Sequence, residues 1–88
     1  MQHRIIFSKD AVKSLEKIAR ANYKLARLIE DHVKKIPESY TNDKMLSGEL
    51  KGLRRHRVGD YRILYTVEQQ KVQVFLIVDI AHRREVYR

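Results

Sequence analysis

The sequence is poor in residues that mark several common protein classes: it has no cysteine, one proline and three glycines in 88 residues. The absence of cysteine excludes a disulfide scaffold, thiolate chemistry and a Cys-ligated zinc site, and it fits a reducing cytoplasm. So little proline and glycine is atypical of a disordered or low-complexity chain. No apolar run approaches the roughly 20 residues that a membrane-spanning helix needs. We therefore expect one cytoplasmic domain covering residues 1–88, with no membrane association.

Common catalytic motifs are missing as well. The sequence contains no glycine-rich phosphate loop, no HExxH helix and no Ser-His-Asp spacing. Its four histidines show no metal-ligand spacing, either among themselves or with carboxylates. We therefore expect neither a metal site nor a cofactor.

Positive charge is what the chain has in excess, with 19 Lys and Arg against 11 Asp and Glu and a net charge of +8. Basic residues already outnumber acidic ones in residues 1–36. A basic surface indicates nucleic acid or an acidic protein as partner, and a basic protein without a particular ligand is the alternative. Two separate basic surfaces with two partners are compatible with this distribution.

The hydrophobic pattern predicts an α+β domain with the element order β-α-α-β-β-β. A first strand is followed by a helix capped by Ser8, a break at Asn22, and a second helix over residues 23–35 that Pro37 stops. Two helices so closely linked should pack as a hairpin on one face of a mainly antiparallel sheet. They also form a crossover long enough for the first strand to pair in parallel with a later strand.

The rest of the chain is expected to supply a loop and three strands. Residues 38–44 are polar and loop-like, while Met45 and Leu46 should pack under the fold. Residues 51–65 predict two strands joined at Val58-Gly59-Asp60. Residues 71–80 become apolar on both faces after their start, which is typical of a central strand.

The predicted hairpin has an unusual load of basic side chains: Lys51, Arg54, Arg55, Arg57 and Arg62. Strand alternation places Arg55 and Arg57 on one face and His56 on the other, and Arg62 can join the two arginines from the partner strand. Arg83 and Tyr87, which follow the central strand, could complete a concave surface. Guanidinium groups that converge there would stabilise a phosphate, and a tyrosine could stack on a base. This set suits cleavage of RNA by its own 2′-hydroxyl without a metal ion.

Simpler interpretations of the same residues stay open. Arg55 and Arg57 could form the solvated face of an exposed hairpin, and Arg62 could pair with Asp60 or Glu85. His56 is expected to be a half-buried histidine rather than a catalyst. His82 adjoins Arg83, so it could donate a proton or bind phosphate.

The chain resembles the RelE/ParE superfamily of toxins from type II toxin–antitoxin pairs. The resemblance lies in Phe7-Ser8-Lys9-Asp10-Ala11, in Leu46-Ser47-Gly48, in Leu50-Lys51-Gly52-Leu53, in the run from Arg55 to Tyr65, and in the run from Ile80 to Tyr87. It implies the RelE-like fold. For the RelE-like branch it implies an mRNA endoribonuclease, acting in the ribosomal A site, that inhibits translation. It also implies an antitoxin that wraps the toxin with an acidic and apolar segment, and contact with operator DNA only through that antitoxin.

The resemblance assigns roles to individual residues. Arg62 and Arg83 would stabilise the scissile phosphate, and Tyr87 would stack on the nucleotide. Arg55 and Arg57 match paired basic positions and would act by charge, because arginine effectively cannot lose its proton. The general base is left unassigned. Further RNA contacts are expected from four neighbouring residues, which are Lys51, Arg54, His82 and Arg84.

Two other functions fit the basic charge. The chain could be a ParE-like poison of DNA gyrase that cleaves nothing itself, or a degenerate toxin kept as an antitoxin-binding corepressor. The combination of Tyr87 with Arg62 and Arg83 favours the nuclease.

Overall fold

The computed structural model describes residues 3–83, which form two helices on one face of a five-stranded sheet. The strands are β1 (His3–Phe7), β2 (Lys44–Met45), β3 (Arg54–Val58), β4 (Tyr61–Gln69) and β5 (Gln73–His82), and the helices are α1 (Lys9–Ala21) and α2 (Tyr23–Ser39). Their order in the sheet is β1-β5-β4-β3-β2. β1 pairs in parallel with β5, and the other pairs are antiparallel. The predicted α+β class and the parallel crossover are therefore confirmed.

Two side chains set the helix boundaries as the sequence predicts. The Ser8 hydroxyl accepts a hydrogen bond from the Ala11 N–H at 3.0 Å and donates to the Val78 carbonyl at 2.6 Å. Asn22 ends α1 through its own N–H and caps α2 through its side chain, which accepts from the Leu25 N–H. Because one extended residue both ends and starts a helix, the two helices fold back on each other.

The core lies between the helices and the inner face of the sheet. Its largest fully buried side chains come from α2, β4 and β5, and they are Ile29, Ile36, Ile63, Tyr65, Phe75 and Ile77. A second, smaller cluster lies on the outer face of the sheet, where Leu64 and Ala81 pack against Leu46, Leu50 and Leu53. The segment 46–53 therefore covers part of the face that carries no helix.

Four details differ from the sequence-based prediction. Helix α2 passes Pro37 and ends at Ser39, because a proline so near the end of a helix removes only one backbone donor. A two-residue strand, β2, occurs where a loop was expected. Met45 is 58 % exposed rather than packed, since it lies on this edge strand. Strand β5 is shifted towards the C-terminus and includes His82.

The β3–β4 hairpin has a two-residue connection, Gly59-Asp60, which lies within the predicted junction Val58-Gly59-Asp60, while Val58 itself belongs to β3. Gly59 has a φ of +58°, a value that residues with a Cβ rarely adopt. Glycine with positive φ at the first of two connecting residues is typical of a type II′ turn, whose twist matches the flanking strands. Strand β3 begins only at Arg54, so Lys51 lies outside the hairpin.

Candidate nucleic-acid interface

The strand register places three arginines together on the outer face of the sheet. Arg57 lies directly opposite Arg62, and Arg55 is two residues along β3 from Arg57. Side chains opposite each other in an antiparallel pair have Cβ atoms only about 5 Å apart. The shared face predicted from alternation is thus confirmed, and Arg55, Arg57 and Arg62 are called the arginine face below.

Arg62 is the buried member of this face. It is 4 % exposed, and no other charged side chain in residues 3–83 is buried. One terminal nitrogen donates weak hydrogen bonds of 3.3 Å to the Gly59 and Tyr61 carbonyls. Its Nε is buried and has no hydrogen-bond partner within the described part of the chain. The local contacts therefore leave part of the donor capacity of this guanidinium unused.

The charges around Arg62 are mainly of its own sign. Burial lowers the pKa of the Arg62 guanidinium, and the charges of Arg57, Arg55 and Arg83 lower it further. Among the described residues, Asp60 alone opposes this effect. Because a buried cation among cations gains free energy when an anion arrives, this arrangement favours binding of a phosphate or carboxylate.

Arg83 joins the arginine face through the backbone. Its N–H donates to the Asp60 carbonyl at 2.7 Å, so the end of β5 is attached to the β3–β4 turn. The Arg83 Nε lies 3.8 Å from an Asp60 carboxylate oxygen, and both side chains are more than half exposed. Exposed pairs of this kind contribute little free energy, so Arg83 can leave Asp60 for an anion at small cost.

The other predicted RNA contacts lie elsewhere or outside the described residues. Arg54 points to the inner face, where it donates to the Tyr40 and Asp43 carbonyls and covers the Tyr40 ring. His82 also faces inward and packs edge-on against Tyr61. Lys51 is exposed next to the turn at residues 48–50. Arg84 and Tyr87 fall outside the described residues.

A polar cluster behind β3 was missed at the sequence level. The Asp43 carboxylate accepts a hydrogen bond from the Tyr65 hydroxyl at 2.6 Å and lies 3.0 Å from the His56 Nδ1. Burial, followed by the hydrogen bond to this carboxylate, raises the pKa of Tyr65 well above its ordinary value. His56 is thus half-buried, as expected, and it is tied to Asp43. Alternation predicts that His56 and Tyr65 share the inner face, but the position of Asp43 depends on the turn before β2.

An apolar groove lies at the other edge of the sheet, between β1, α1 and α2. It has a volume of about 470 Å³, and its apolar lining comes from Ile5, Phe7, Val12, Leu15, Ala19 and Val33. Val12 of this lining is 43 % exposed, and Ile6, on the opposite face of β1 from Ile5 and Phe7, is 44 % exposed. An apolar surface at an edge strand suits a protein partner rather than a nucleic acid.

Metal and membrane features are absent from residues 3–83. No group of three or more His, Asp or Glu side chains there is arranged to hold a metal ion. No described helix is long and apolar enough to cross a membrane.

Several solved structures share this fold. The toxin–antitoxin complex RelBE2 from Mycobacterium tuberculosis matches with a TM-score of 0.80 and 21% identity, over 94% of this chain and 100% of that one. A YoeB/ParE toxin from Agrobacterium tumefaciens matches with a TM-score of 0.76 and 15% identity, over 93% and 98%. A chromosomal ParDE system from P. aeruginosa matches with a TM-score of 0.71 and 15% identity, over 93% and 95%. At such identities the likeness establishes the fold, and it confirms the expected RelE-like architecture.

The sequence itself matches one family model, described as the ParE toxin of the type II toxin–antitoxin system parDE, over residues 5–87. No curated protein matches the chain. The family match covers both the arginine face and the apolar groove, and it confirms the superfamily resemblance seen in the sequence.

Proposed function

The chain belongs to the ParE toxin family of type II toxin–antitoxin systems, and we propose that it acts as a RelE-like mRNA endoribonuclease. In this proposal the toxin works in the cytoplasm, enters the ribosomal A site and cuts the translated mRNA. It inhibits translation until a cognate antitoxin binds it.

The observation that carries the proposal is the buried guanidinium of Arg62 among other guanidiniums. Arg62 is 4 % exposed, lies opposite Arg57 and keeps an unpartnered buried Nε within the described residues. A toxin that acts only by covering another protein does not need a buried cation with unused donors. A nuclease does, because the phosphate gains negative charge in the transition state and preorganised donors stabilise it.

The chemistry follows from the residues in this site. The 2′-oxygen of the RNA bonds to the adjacent phosphorus as the bond from phosphorus to the 5′-oxygen breaks. The products are a 2′,3′-cyclic phosphate and a free 5′-hydroxyl, and the proton lost by the 2′-hydroxyl balances the one gained by the 5′-oxygen. Arg62 would hold the phosphate oxygens, Arg55 and Arg57 would add positive charge, and Arg83 would stabilise the leaving oxygen. Tyr87 would stack on the neighbouring base.

The antitoxin would use two surfaces of the toxin. The M. tuberculosis relative was solved as a toxin–antitoxin complex, and the groove between β1, α1 and α2 offers an apolar seat for such a partner. An apolar helix or strand of the antitoxin would fill the groove, and its acidic residues would neutralise the arginine face. Contact with operator DNA would then come from the antitoxin alone.

Induction of the protein in growing cells tests the proposal. The 5′ ends of mRNA and gyrase-linked DNA breaks are mapped in the same cells, with an Arg62→Met variant as control. New 5′ ends within translated codons, absent with the variant, are expected. DNA breaks with intact mRNA would overturn the nuclease.

A gyrase poison is the second candidate, because the matching family model is described by the parDE system. In that case the arginine face would bind a protein carboxylate rather than a phosphate. The same mapping experiment separates the two functions, since only the poison yields DNA breaks. Cells with neither lesion would indicate a degenerate toxin that serves as a corepressor.

A further inference from the structure

A chain of hydrogen bonds crosses the inner side of β3, directly behind the arginine face. The His32 Nδ1 on α2 lies 2.9 Å from the His56 Nε2 on β3, and the His56 Nδ1 lies 3.0 Å from both carboxylate oxygens of Asp43. These three residues, called the His–His–Asp chain, connect a helix, a strand and the turn before β2. His32 follows Ile29 by three residues, so it borders the buried stripe of α2.

The His–His–Asp chain contacts a part of β3 that has no neighbouring strand on one side. Strand β2 pairs only with Arg54 and Arg55, and no described residue of β2 lies opposite His56 or Arg57. From His56 onward, the edge of β3 away from β4 has no partner strand in the described residues. The His56 side chain instead connects this part of β3 to Asp43 and His32. His56 stands between Arg55 and Arg57, whose side chains leave the opposite face of the strand. Any displacement of His56 therefore moves both arginines.

The number of protons on the two imidazole rings decides whether the hydrogen bond between His56 and His32 can form. An ionised Asp43 only accepts, so the His56 Nδ1 must donate to it. The bond between His56 Nε2 and His32 Nδ1 then needs one donor and one acceptor, which is possible when both rings are neutral or when they share one added proton. Two imidazolium rings would point N–H groups at each other across 2.9 Å, and the hydrogen bond would be lost.

The surroundings of His32 oppose its protonation. Burial is the first cause that lowers the pKa of His32, followed by the charges of His56 and Lys35, while Asp31 raises it. The groups that face the chain from the elements packed around it are Asp31 and Lys35 on α2, Arg54 on β3, Asp43 before β2, and Tyr65 on β4. Both Tyr65 and His56 contact the Asp43 carboxylate. Asp31, not Asp43, is the carboxylate that raises the pKa of His32.

We propose that His32 is a positioning residue: through His56 it fixes the segment of β3 that carries Arg55 and Arg57, and it releases that segment when both imidazoles are protonated. The toxin would then hold RNA well at neutral pH and less well in mild acid, although its total positive charge is higher there. The RNA part of this inference rests on the proposed function, whereas the release of β3 does not.

Two substitutions distinguish the role of the hydrogen bond between His32 and His56 from the role of protonation of the His32 ring. In His32→Asn the side-chain amide can bond to the His56 Nε2 at every pH, because its nitrogen donates when His56 is neutral, its oxygen accepts after a flip when His56 is protonated, and the amide itself does not titrate. In His32→Phe the ring remains but the hydrogen bond is lost at every pH. His3→Asn is the matched control, since His3 is an exposed histidine on β1 and is not part of the His–His–Asp chain.

The first measurement is NMR between pH 7.5 and pH 5, following the imidazole nitrogens and amide hydrogen exchange in β3. In the wild type and the His3→Asn control, exchange of the His56 amide, which pairs with Ile63 of β4, should speed up relative to the strand β5 core once both imidazoles are protonated. In His32→Asn it should not, and in His32→Phe it should be fast already at pH 7.5. The same exchange profile in the wild type and His32→Asn would overturn the inference.

The second measurement is binding of a 2′-O-methyl RNA decamer, which cannot undergo 2′-hydroxyl attack. The wild type and His32→Asn should bind equally at pH 7.5, and the wild type should bind about fivefold more weakly than His32→Asn at pH 5. Equal affinities at both pH values would overturn the effect on the arginines. A decamer that binds at no pH would overturn the effect on RNA binding, and the exchange data would then decide the positioning role of His32 independently, whereas the proposed function, which requires the ribosome, is tested by the mapping of mRNA 5′ ends.

Discussion

A guanidinium that is 4 % exposed and faces other guanidiniums normally weakens a fold. Arg62 has neither a buried carboxylate partner in residues 3–83 nor a full set of hydrogen bonds. Its two carbonyl contacts, at 3.3 Å, are long for bonds from a charged donor. The simplest physical reason to keep such a residue is an anion that arrives from outside, so Arg62 should serve function at the expense of stability.

Replacement of Arg62 by Met tests this view. Met reproduces the unbranched stem of Arg as far as Nε without its charge, so the free energy of unfolding should stay the same or rise by about 1 kcal/mol. Sulfate, which should raise the melting temperature of the wild type by binding the folded state, should no longer do so. Urea denaturation and thermal melts measure both effects. A loss of stability above about 2 kcal/mol would instead assign Arg62 a structural role.

In contrast to Arg62, Tyr65 should contribute through its hydroxyl to the stability of the folded state only. Tyr65→Phe removes a 2.6 Å hydrogen bond to the Asp43 carboxylate inside the core. We expect the free energy of unfolding to fall by about 2 kcal/mol, because a half-buried carboxylate loses one of its hydrogen-bond donors. Tyr23→Phe is the control: Tyr23 is 63 % exposed, so this change should stay within about 0.5 kcal/mol. Equal effects of the two substitutions in urea denaturation would contradict this account.

Acid should weaken the folded state through His32. The pKa of His32 is lowered in the folded state, so below a pH of about 6.5 the unfolded chain takes up a proton that the folded chain does not. This contribution to stability is therefore present above that pH and is lost as the pH falls towards the lowered pKa. Urea denaturation at pH 7.5 and pH 5 should show a smaller acid loss in His32→Asn than in the wild type. An equal loss would contradict the assignment.

At the scale of elements, the two helix caps differ in what they connect. Ser8 caps α1 and also donates to the Val78 carbonyl of β5, whereas the Asn22 side chain serves only the local turn of α2. Ser8→Ala should therefore cost more free energy of unfolding than Asn22→Ala, for which we expect about 1 kcal/mol. Denaturation of the two variants under the same conditions gives the comparison. A larger effect at Asn22 would show that the link to β5 contributes little.

The elements also show what the sequence could and could not predict. Caps and periodicity are local signals, so Ser8 and Asn22 located both helix starts, and alternation placed Arg55, Arg57 and Arg62 on one face. Strand β2 was missed because two residues carry no periodicity, and it forms only through pairing with Arg54 and Arg55. The inward position of Arg54 depends on the carbonyls of Tyr40 and Asp43, which local sequence does not reveal.

At the scale of the whole molecule, the net charge of +8 should govern binding of the antitoxin. If acidic antitoxin residues meet the arginine face, affinity should fall as salt rises, because the Debye length shrinks from about 10 Å at 0.1 M to about 3 Å at 1 M. Calorimetry at several salt concentrations measures this dependence. Arg83→Ala should leave binding largely intact while relieving toxicity, since the apolar groove is untouched. Salt-independent affinity would contradict the two-surface arrangement.

The central claim is that the arginine face cleaves mRNA, and cleavage on purified, programmed ribosomes tests it most directly. The wild type should produce a new 5′ end in the A-site codon, and Arg62→Met, folded to the same extent, should cut about 100-fold more slowly. Cleavage at equal rates by both proteins, or no cleavage by the wild type, would contradict the account.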